Sequence, residues 1–344
     1  MKRLLTTTML FALCLGTAPL SAQTQEPGMR MITVPDGPDA RGTDGFLWYP
    51  AASGGDPVRA LGNQVWEAIR VLPDADPAPG RYPLVVLSHG MFGNDRNQAW
   101  LAEGLVRAGF VVAAIDHPGT STFQRDARAR TMLWERPRDI SRAIDLALAD
   151  PAIGGLVDPE RIYMAGHSLG GFTAMLLAGA RYDADHLGGF CGLHPSDLVC
   201  GIFDDWQVAR TAEDRAAMEA DLADPRIRAF AVFDLGGTQA LSPDSVAAIR
   251  HPLLVYGAPE DIHGIDLDVE SRALAAALPV DVVTYREPAG LAHFDFLGVC
   301  TENALAILRE EEPDDVVVCE DGRESRQAEH ESIIADVTAY FQEH

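Results

Sequence analysis

The stretch Gly166-His167-Ser168-Leu169-Gly170 sets a serine between two glycines, one residue removed on either side. A serine hydroxyl is a weak nucleophile near neutral pH, and it attacks a carbonyl carbon only when a base takes its proton and a third group orients that base. In the G-x-S-x-G pattern the glycines let a strand and a helix approach closely, so that the hydroxyl projects from a sharp turn. With 31 glycines and 12 serines in 344 residues, such a pattern arises by chance in about one chain of this kind in ten, so its context decides. Asp158-Pro159 reads as a turn, Arg161 to Ala165 as a buried strand, and Phe172 to Ala180 as a helix, which is the strand, turn and helix the pattern requires. A serine that merely caps the helix is the bland alternative.

The base expected for Ser168 is His293, in the Gly-bearing loop "EPAGLAHFDFLG" after the last predicted strand. Three carboxylates compete to orient it. Asp261, in "PLLVYGAPEDIHG" after a buried strand, is the first choice, Asp234 in "AFAVFDLGG" the second and Glu260 the third. Attack on an acyl carbon creates an oxyanion, which two backbone N–H groups should hold. One belongs to Leu169, the residue after the nucleophile; the other should come from "SHGMFGN", at Met91 with Phe92 next. His89 and His117 read as loop-shaping residues at strand ends, His167 as a packing residue, and His263 as a second choice of base.

These groups need strands to carry them. Leu84 to Leu87, Val111 to Ile115, Ile162 to Met164, Ala229 to Phe233, Leu253 to Tyr256 and Val282 to Tyr285 are short apolar runs with helical stretches in most of the gaps. Continuous apolar strands separated by helices predict an α/β fold, a mostly parallel, doubly wound sheet with helices on both faces. In such a sheet the reactive residues sit at the C-terminal strand ends. Met29 to Val34 and Phe46 to Tyr49 read as two early strands that pair antiparallel at a sheet edge. Ala51 to Arg81 looks like a surface excursion around a helical "LGNQVWEAIRVL". From about 182 to 228 the pattern lapses into a loop-like segment and a charged helix, "AEDRAAMEADLA", an insertion placed to cap the pocket or to lie on the surface. With no linker or repeat, residues 23 to 344 read as one domain.

Residues 1 to 22 place Lys2 and Arg3 before an apolar run and a small-residue stretch ending near Ala22, the pattern of a secretory signal peptide. Export to the periplasm or medium is therefore expected, and Leu13 before Cys14 argues against lipid anchoring. No later stretch approaches the roughly 20 apolar residues a membrane span needs. Cys191, Cys200, Cys300 and Cys319 form an even set in an exported chain, which favours two disulfides; pairing of sequence neighbours, Cys191 with Cys200 and Cys300 with Cys319, is the expectation. No clustered Cys/His spacing suggests a metal, and no cofactor is expected. The formal net charge of −24, from 51 acidic against 27 basic residues, argues against nucleic acid or anionic membrane as partners. It fits a soluble, self-repelling surface or an adaptation to salt.

The runs "LVVLSHGMFGNDRNQAWLAEGLVRAGFVVAAIDHPG", "RIYMAGHSLGG", "PLLVYGAPED", "GLAHFDFLGVC" and "GTDGFLWYPA" together resemble the bacterial predicted dienelactone hydrolases related to platelet-activating-factor acetylhydrolase. The run from Leu84 to Gly119 is similar to cutinases as well. The resemblance implies an α/β-hydrolase fold and hydrolysis of carboxylic esters, with Ser168 as nucleophile, His293 as base and the chain order serine, acid, histidine. Its cutinase-like part favours Asp261 as the acid, its acetylhydrolase-like part Asp234. Two departures stand out: dienelactone hydrolases carry a cysteine where this chain has Ser168, and polyester-cleaving cutinases carry a tryptophan where it has "FDLGG". The sequence thus points to a secreted serine esterase acting through an acyl-enzyme on small or short-acyl esters. A lipase or cutinase-like polyester hydrolase, a non-catalytic binding protein of the same fold, and a metallohydrolase are the rivals.

Overall fold

Leu84 and Val86 face one apolar cluster, and their neighbours Val85 and Leu87 face another. This alternation repeats along the central strands, so both faces of the sheet are dry, and each fully buried Val, Leu or Ile contributes about 1.5–3 kcal/mol relative to exposure. The helix Glu135–Ala149 covers the first face with Ile140, Ala143, Ile144 and Ala147. Leu101, Leu105 and Val106 of the helix Ala99–Arg107, with Val337 and Phe341 of the C-terminal helix Arg323–Glu343, cover the second. Runs covered on both faces carry no polar alternation, which is why they stand out in the sequence.

The computed structural model describes residues 25–35, 41–52, 54–260, 264–320 and 323–344. The expected signal peptide lies outside them, as do Asp261 and His263. Among the described residues ten strands form one sheet: β1 (Pro27–Val34), β2 (Thr43–Pro50), β3 (Val58–Ala60), β4 (Ile69–Pro73), β5 (Tyr82–Ser88), β6 (Val111–Ile115), β7 (Val157–His167), β8 (Ile227–Phe233), β9 (Leu253–Tyr256) and β10 (Val283–Arg286). Their spatial order is β10-β9-β8-β7-β5-β6-β2-β1-β4-β3. The strands from β10 to β6 are parallel, β2 runs antiparallel to β6, and β1 antiparallel to β2. The expected doubly wound α/β sheet is present.

Two segments differ from expectation. "LGNQVWEAIRVL" is not helical: the Asn63 side chain accepts the Val65 and Trp66 N–H groups at 2.7 and 2.8 Å in a tight turn, and Ile69–Pro73 becomes β4, parallel to β1 and antiparallel to β3. The open edge of β1 offers this segment backbone partners that outweigh its helical pattern. The stretch after Tyr182, read as loop, holds two helices, Ala184–Leu193 and Leu198–Asp205. Asp183 caps the first through the Asp185 and His186 N–H groups, and Asp197 caps the second through that of Cys200. Cys191 and Cys200 stand at disulfide distance and join the two helices; Cys300 and Cys319 do so in a small cluster with Ala304 and Leu308.

Candidate active site

The two glycines around Ser168 sit where no side chain fits. A Cβ on Gly166 would fall on the Gly170 carbonyl, and one on Gly170 would fall on the Ser88 carbonyl at the end of β5. The turn therefore packs directly against the neighbouring strand end. Ser168 itself has φ 55° and ψ −119°, outside the regions a non-glycine residue favours, at a cost of order 1–3 kcal/mol. Its N–H donates to the Phe233 carbonyl at 2.9 Å, and its carbonyl accepts from Gly171 and Phe172. Its side chain makes no capping hydrogen bond to the helix Leu169–Leu177, which sets aside the reading of Ser168 as a capping serine. The hydroxyl lines a cleft, shared with His293, at the positive end of that helix.

His293 follows β10 in a 3₁₀ turn and is buried. Its Nδ1 lies 2.7 Å from Asp234 Oδ2. Asp234 is the residue directly after β8, turned sharply by φ 38°; its Oδ1 accepts the Ala258 N–H at 3.0 Å. A carboxylate so held can only accept, so Nδ1 carries the proton and Nε2 is left with its lone pair. Asp234, the second choice for the orienting acid, makes this hydrogen bond from the end of β8, while Asp261, the first choice, lies outside the described residues. Glu260 joins this loop through its backbone, its N–H donating to the Leu291 carbonyl at 3.1 Å, and its side chain is exposed.

The loop after β5 supplies the other half of the site. Phe92 donates its N–H to the Thr120 carbonyl at 2.8 Å, whereas the N–H groups of Met91 and Leu169 have no partner among the described residues. Those two donors are the pair expected from the sequence, whereas the N–H of Phe92, the next choice, is engaged by Thr120. Arg136, 1% exposed, fixes the loop from beneath: it donates to the His89 carbonyl, to Ser88 Oγ at 3.2 Å, to Thr120 Oγ1 and to Thr173 Oγ1. Sequence reasoning missed this residue, because an arginine inside a helix pattern looks like any solvated arginine.

The remaining histidines behave as structural groups. Burial holds the His89, His117 and His167 rings well below the ordinary histidine range, so all three are neutral. His89 Nε2 accepts the His117 N–H at 3.0 Å, which puts its own proton on Nδ1, facing the Gly90 carbonyl. His117 bridges Ser88 Oγ (2.9 Å) and Asp139 Oδ2 (3.0 Å). Ser88, His117 and Asp139 repeat the order of residue types of a catalytic triad, but they are sealed from solvent and do not line the cleft. His167 donates from Nε2 to the His293 carbonyl at 2.8 Å and so ties the turn that bears Ser168 to the loop that bears His293. On the far side of that loop, Asp295 accepts from Ala292 N–H and from Arg326 Nε of the C-terminal helix, at 2.8 and 3.0 Å. Among the described residues no group of three or more His, Cys, Asp or Glu is arranged to hold a metal ion.

All of these groups sit at C-terminal strand ends: β5 carries the Met91 loop, β7 Ser168, β8 Asp234 and β10 the His293 loop. The chain superposes with a TM-score of 0.62 over 95% of its length, and over 92% of the other chain, on a ferulic acid esterase from Streptomyces cinnamoneus that shares 19% of its sequence. The fold is that of an α/β-hydrolase. Residues 81–193 match the family described as serine aminopeptidase, S33. Over 104 residues the chain is 36% identical to a cutinase of Thermobifida alba, and over 102 residues 31% identical to a bis(hydroxyethyl) terephthalate hydrolase of Streptomyces coelicolor. Each match spans 30% of this chain, and 32% and 30% of the respective relatives, so the likeness to curated proteins covers about a third of their length. No helix among the described residues is long and apolar enough to cross a membrane.

Proposed function

We propose that this chain is an exported serine hydrolase of carboxylic esters, with Ser168 as nucleophile, His293 as base and Asp234 as the orienting acid. The observation that carries the reading is the 2.7 Å hydrogen bond from His293 to Asp234, set beside a serine on a strained, glycine-packed turn. Ser168 Oγ attacks the ester carbonyl while His293 Nε2 takes its proton. The oxyanion accepts from the Met91 and Leu169 N–H groups, and the protonated imidazole returns the proton to the departing alcohol, leaving the acyl group on Ser168. Water, deprotonated by His293, then releases the acid and restores the serine. Asp234 keeps the imidazole in the tautomer this needs. Similarity to cutinases supports ester chemistry, two cysteine pairs at disulfide distance support export, and the resemblance to acetylhydrolases supports small or short-acyl substrates.

A fluorophosphonate probe tests the proposal. Labelling is expected at Ser168, with loss of both labelling and ester hydrolysis in Ser168→Ala, activity falling by several orders of magnitude. A folded wild-type protein that resists the probe, or a Ser168→Ala variant with more than a few per cent of wild-type kcat, refutes it, and the first of these outcomes favours a binding protein. The cleft, ≈ 1340 Å³, exceeds the roughly 300–1,000 Å³ typical of small-ligand pockets, and this favours a second reading, a lipase or cutinase-like polyester hydrolase. Rates that climb with acyl length, rather than fall, would select it.

A further inference from the structure

Arg125 lines the same cleft as Ser168 and His293, on the wall formed with Phe92 and Trp206. Its guanidinium carbon stands 4.7 Å above the Phe92 ring, and that of Arg130 stands 5.2 Å from the same ring and 5.6 Å from Trp206. Stacking engages the faces of the two guanidinium groups and leaves their N–H edges free to donate. Arg130 spends one of these on the Arg125 carbonyl at 3.3 Å, while its Nε is buried without a partner. Neither arginine has a carboxylate within ion-pair distance among the described residues. The nearby Asp126 carboxylate caps the Ala129 N–H at 2.7 Å, and Arg128 and Arg96 are paired with Asp214 and Asp95.

Two adjacent cations without anions are out of place in a chain that carries 51 acidic against 27 basic residues, because a carboxylate is the commonest available partner and like charges held together repel. Phe92, on which both are stacked, directly follows the Met91 oxyanion donor. The lining of the cleft also carries Glu67, Glu103, Glu312, Asp314, Asp315 and Glu331, carboxylates that would turn an anionic substrate group away from themselves and towards the arginines. We infer that Arg125, which lines the cleft, and Arg130, stacked on the same Phe92 ring, form a carboxylate-binding subsite, and that the preferred substrates are esters bearing a free carboxylate on a part of the molecule that reaches the Phe92–Trp206 wall. This rests on the ester-hydrolase reading for its chemistry and on the unpaired arginines for its specificity.

Two measurements on the full chain separate those foundations. In the first, 4-nitrophenyl monoesters of linear dicarboxylic acids of four to eight carbons are compared with neutral 4-nitrophenyl alkanoates of matched length. At the best length the acid-bearing ester should lead in kcat/KM by about tenfold at low salt, as one partly solvated charge-assisted contact allows. The lead should vanish in Arg125→Gln/Arg130→Gln, survive in part in the double Arg→Lys variant, and shrink as salt is raised. In the second, calorimetry compares benzoate with benzamide on Ser168→Ala, with and without the double Gln change, melting temperatures confirming that each variant folds. Preferential binding of benzoate that the double change abolishes supports the subsite even if no ester is turned over, in which case the esterase reading alone fails. Ester hydrolysis with no preference for the acid-bearing partner at any length, or equal binding of benzoate and benzamide, overturns the subsite and leaves the esterase reading standing.

Discussion

At the level of single residues, the identity of the orienting acid is the sharpest question. Both candidate positions follow buried strands, and sequence alone cannot say which loop turns back far enough to reach His293. Backbone geometry supports Asp234: the tight turn there, φ 38°, holds its carboxylate at the end of β8, next to the β7 turn that bears Ser168. Asp234→Asn should keep the hydrogen bond but favour the wrong imidazole tautomer, lowering kcat by roughly 10²–10⁴-fold, while Asp261→Asn should change it little. Steady-state kinetics of both variants on one ester decide this, and equal losses or the reverse order would return the role to position 261. The proposed nucleophile, base and oxyanion donors were readable because each lies in a local pattern: a glycine-flanked serine, a histidine in the last loop, a small-residue turn after an apolar strand. Arg136 was not, since its role depends on a helix being folded across the β5 loop.

At the scale of elements, strands with both faces covered were plain in the sequence, and β6 and β9 have the predicted ends. What failed were segments whose fate depends on distant partners. The 61–72 stretch alternates like a helix but pairs with β1, and the glycine-rich 184–205 stretch becomes helical with Asp183 and Asp197 as caps and a disulfide between. The C-terminal helix shows how one element steadies another. His330 stacks on Trp100, 3.7 Å between ring centroids, and donates from Nε2 to the Asp295 carbonyl at 2.7 Å, beneath the base loop. Burial lowers its pKa to about 3, so the folded protein holds it neutral. The unfolded chain, with an ordinary value near 6.5, takes up a proton as pH falls below that point, and the folded state does not. The stability His330 contributes is thus present above about pH 6.5 and lost on the way down towards 3, by about 1.4 kcal/mol per pH unit. His330→Phe cannot take up that proton, so the variant, weaker at pH 8, should close the gap by pH 5. Chemical denaturation at the two pH values measures it, and a constant gap would contradict the assignment.

For the molecule as a whole, the charge of −24 sets the terms. Many arginines are committed to surface pairs such as Arg215 with Asp185 and Glu219, or Arg272 with Asp268 and Glu287, and exposed pairs of this kind contribute about 0–1 kcal/mol each. The surplus of carboxylates remains, and its mutual repulsion acts against the folded state. Raising NaCl from about 0.1 to 1 M shortens the screening length from about 10 to 3 Å, so the melting temperature should rise with salt at pH 7.5. A flat or falling profile in thermal unfolding would show that lost ion pairs outweigh relieved repulsion.

The walls of the cleft come from places far apart in the chain: the 61–69 turn and hairpin, the 198–206 helix and the 297–318 segment held by Cys300 and Cys319. None of these lies within residues 81–193, the portion that matches a known family and that contains Ser168, Leu169 and Met91. Part of the lining of the cleft can thus vary independently of Ser168, Leu169 and Met91, whereas Phe92 and Arg125 are carried on the same stretch as those residues. Mutation can remodel what enters the cleft from those segments, by lengthening a loop or exchanging a wall, without disturbing the proposed nucleophile and oxyanion donors.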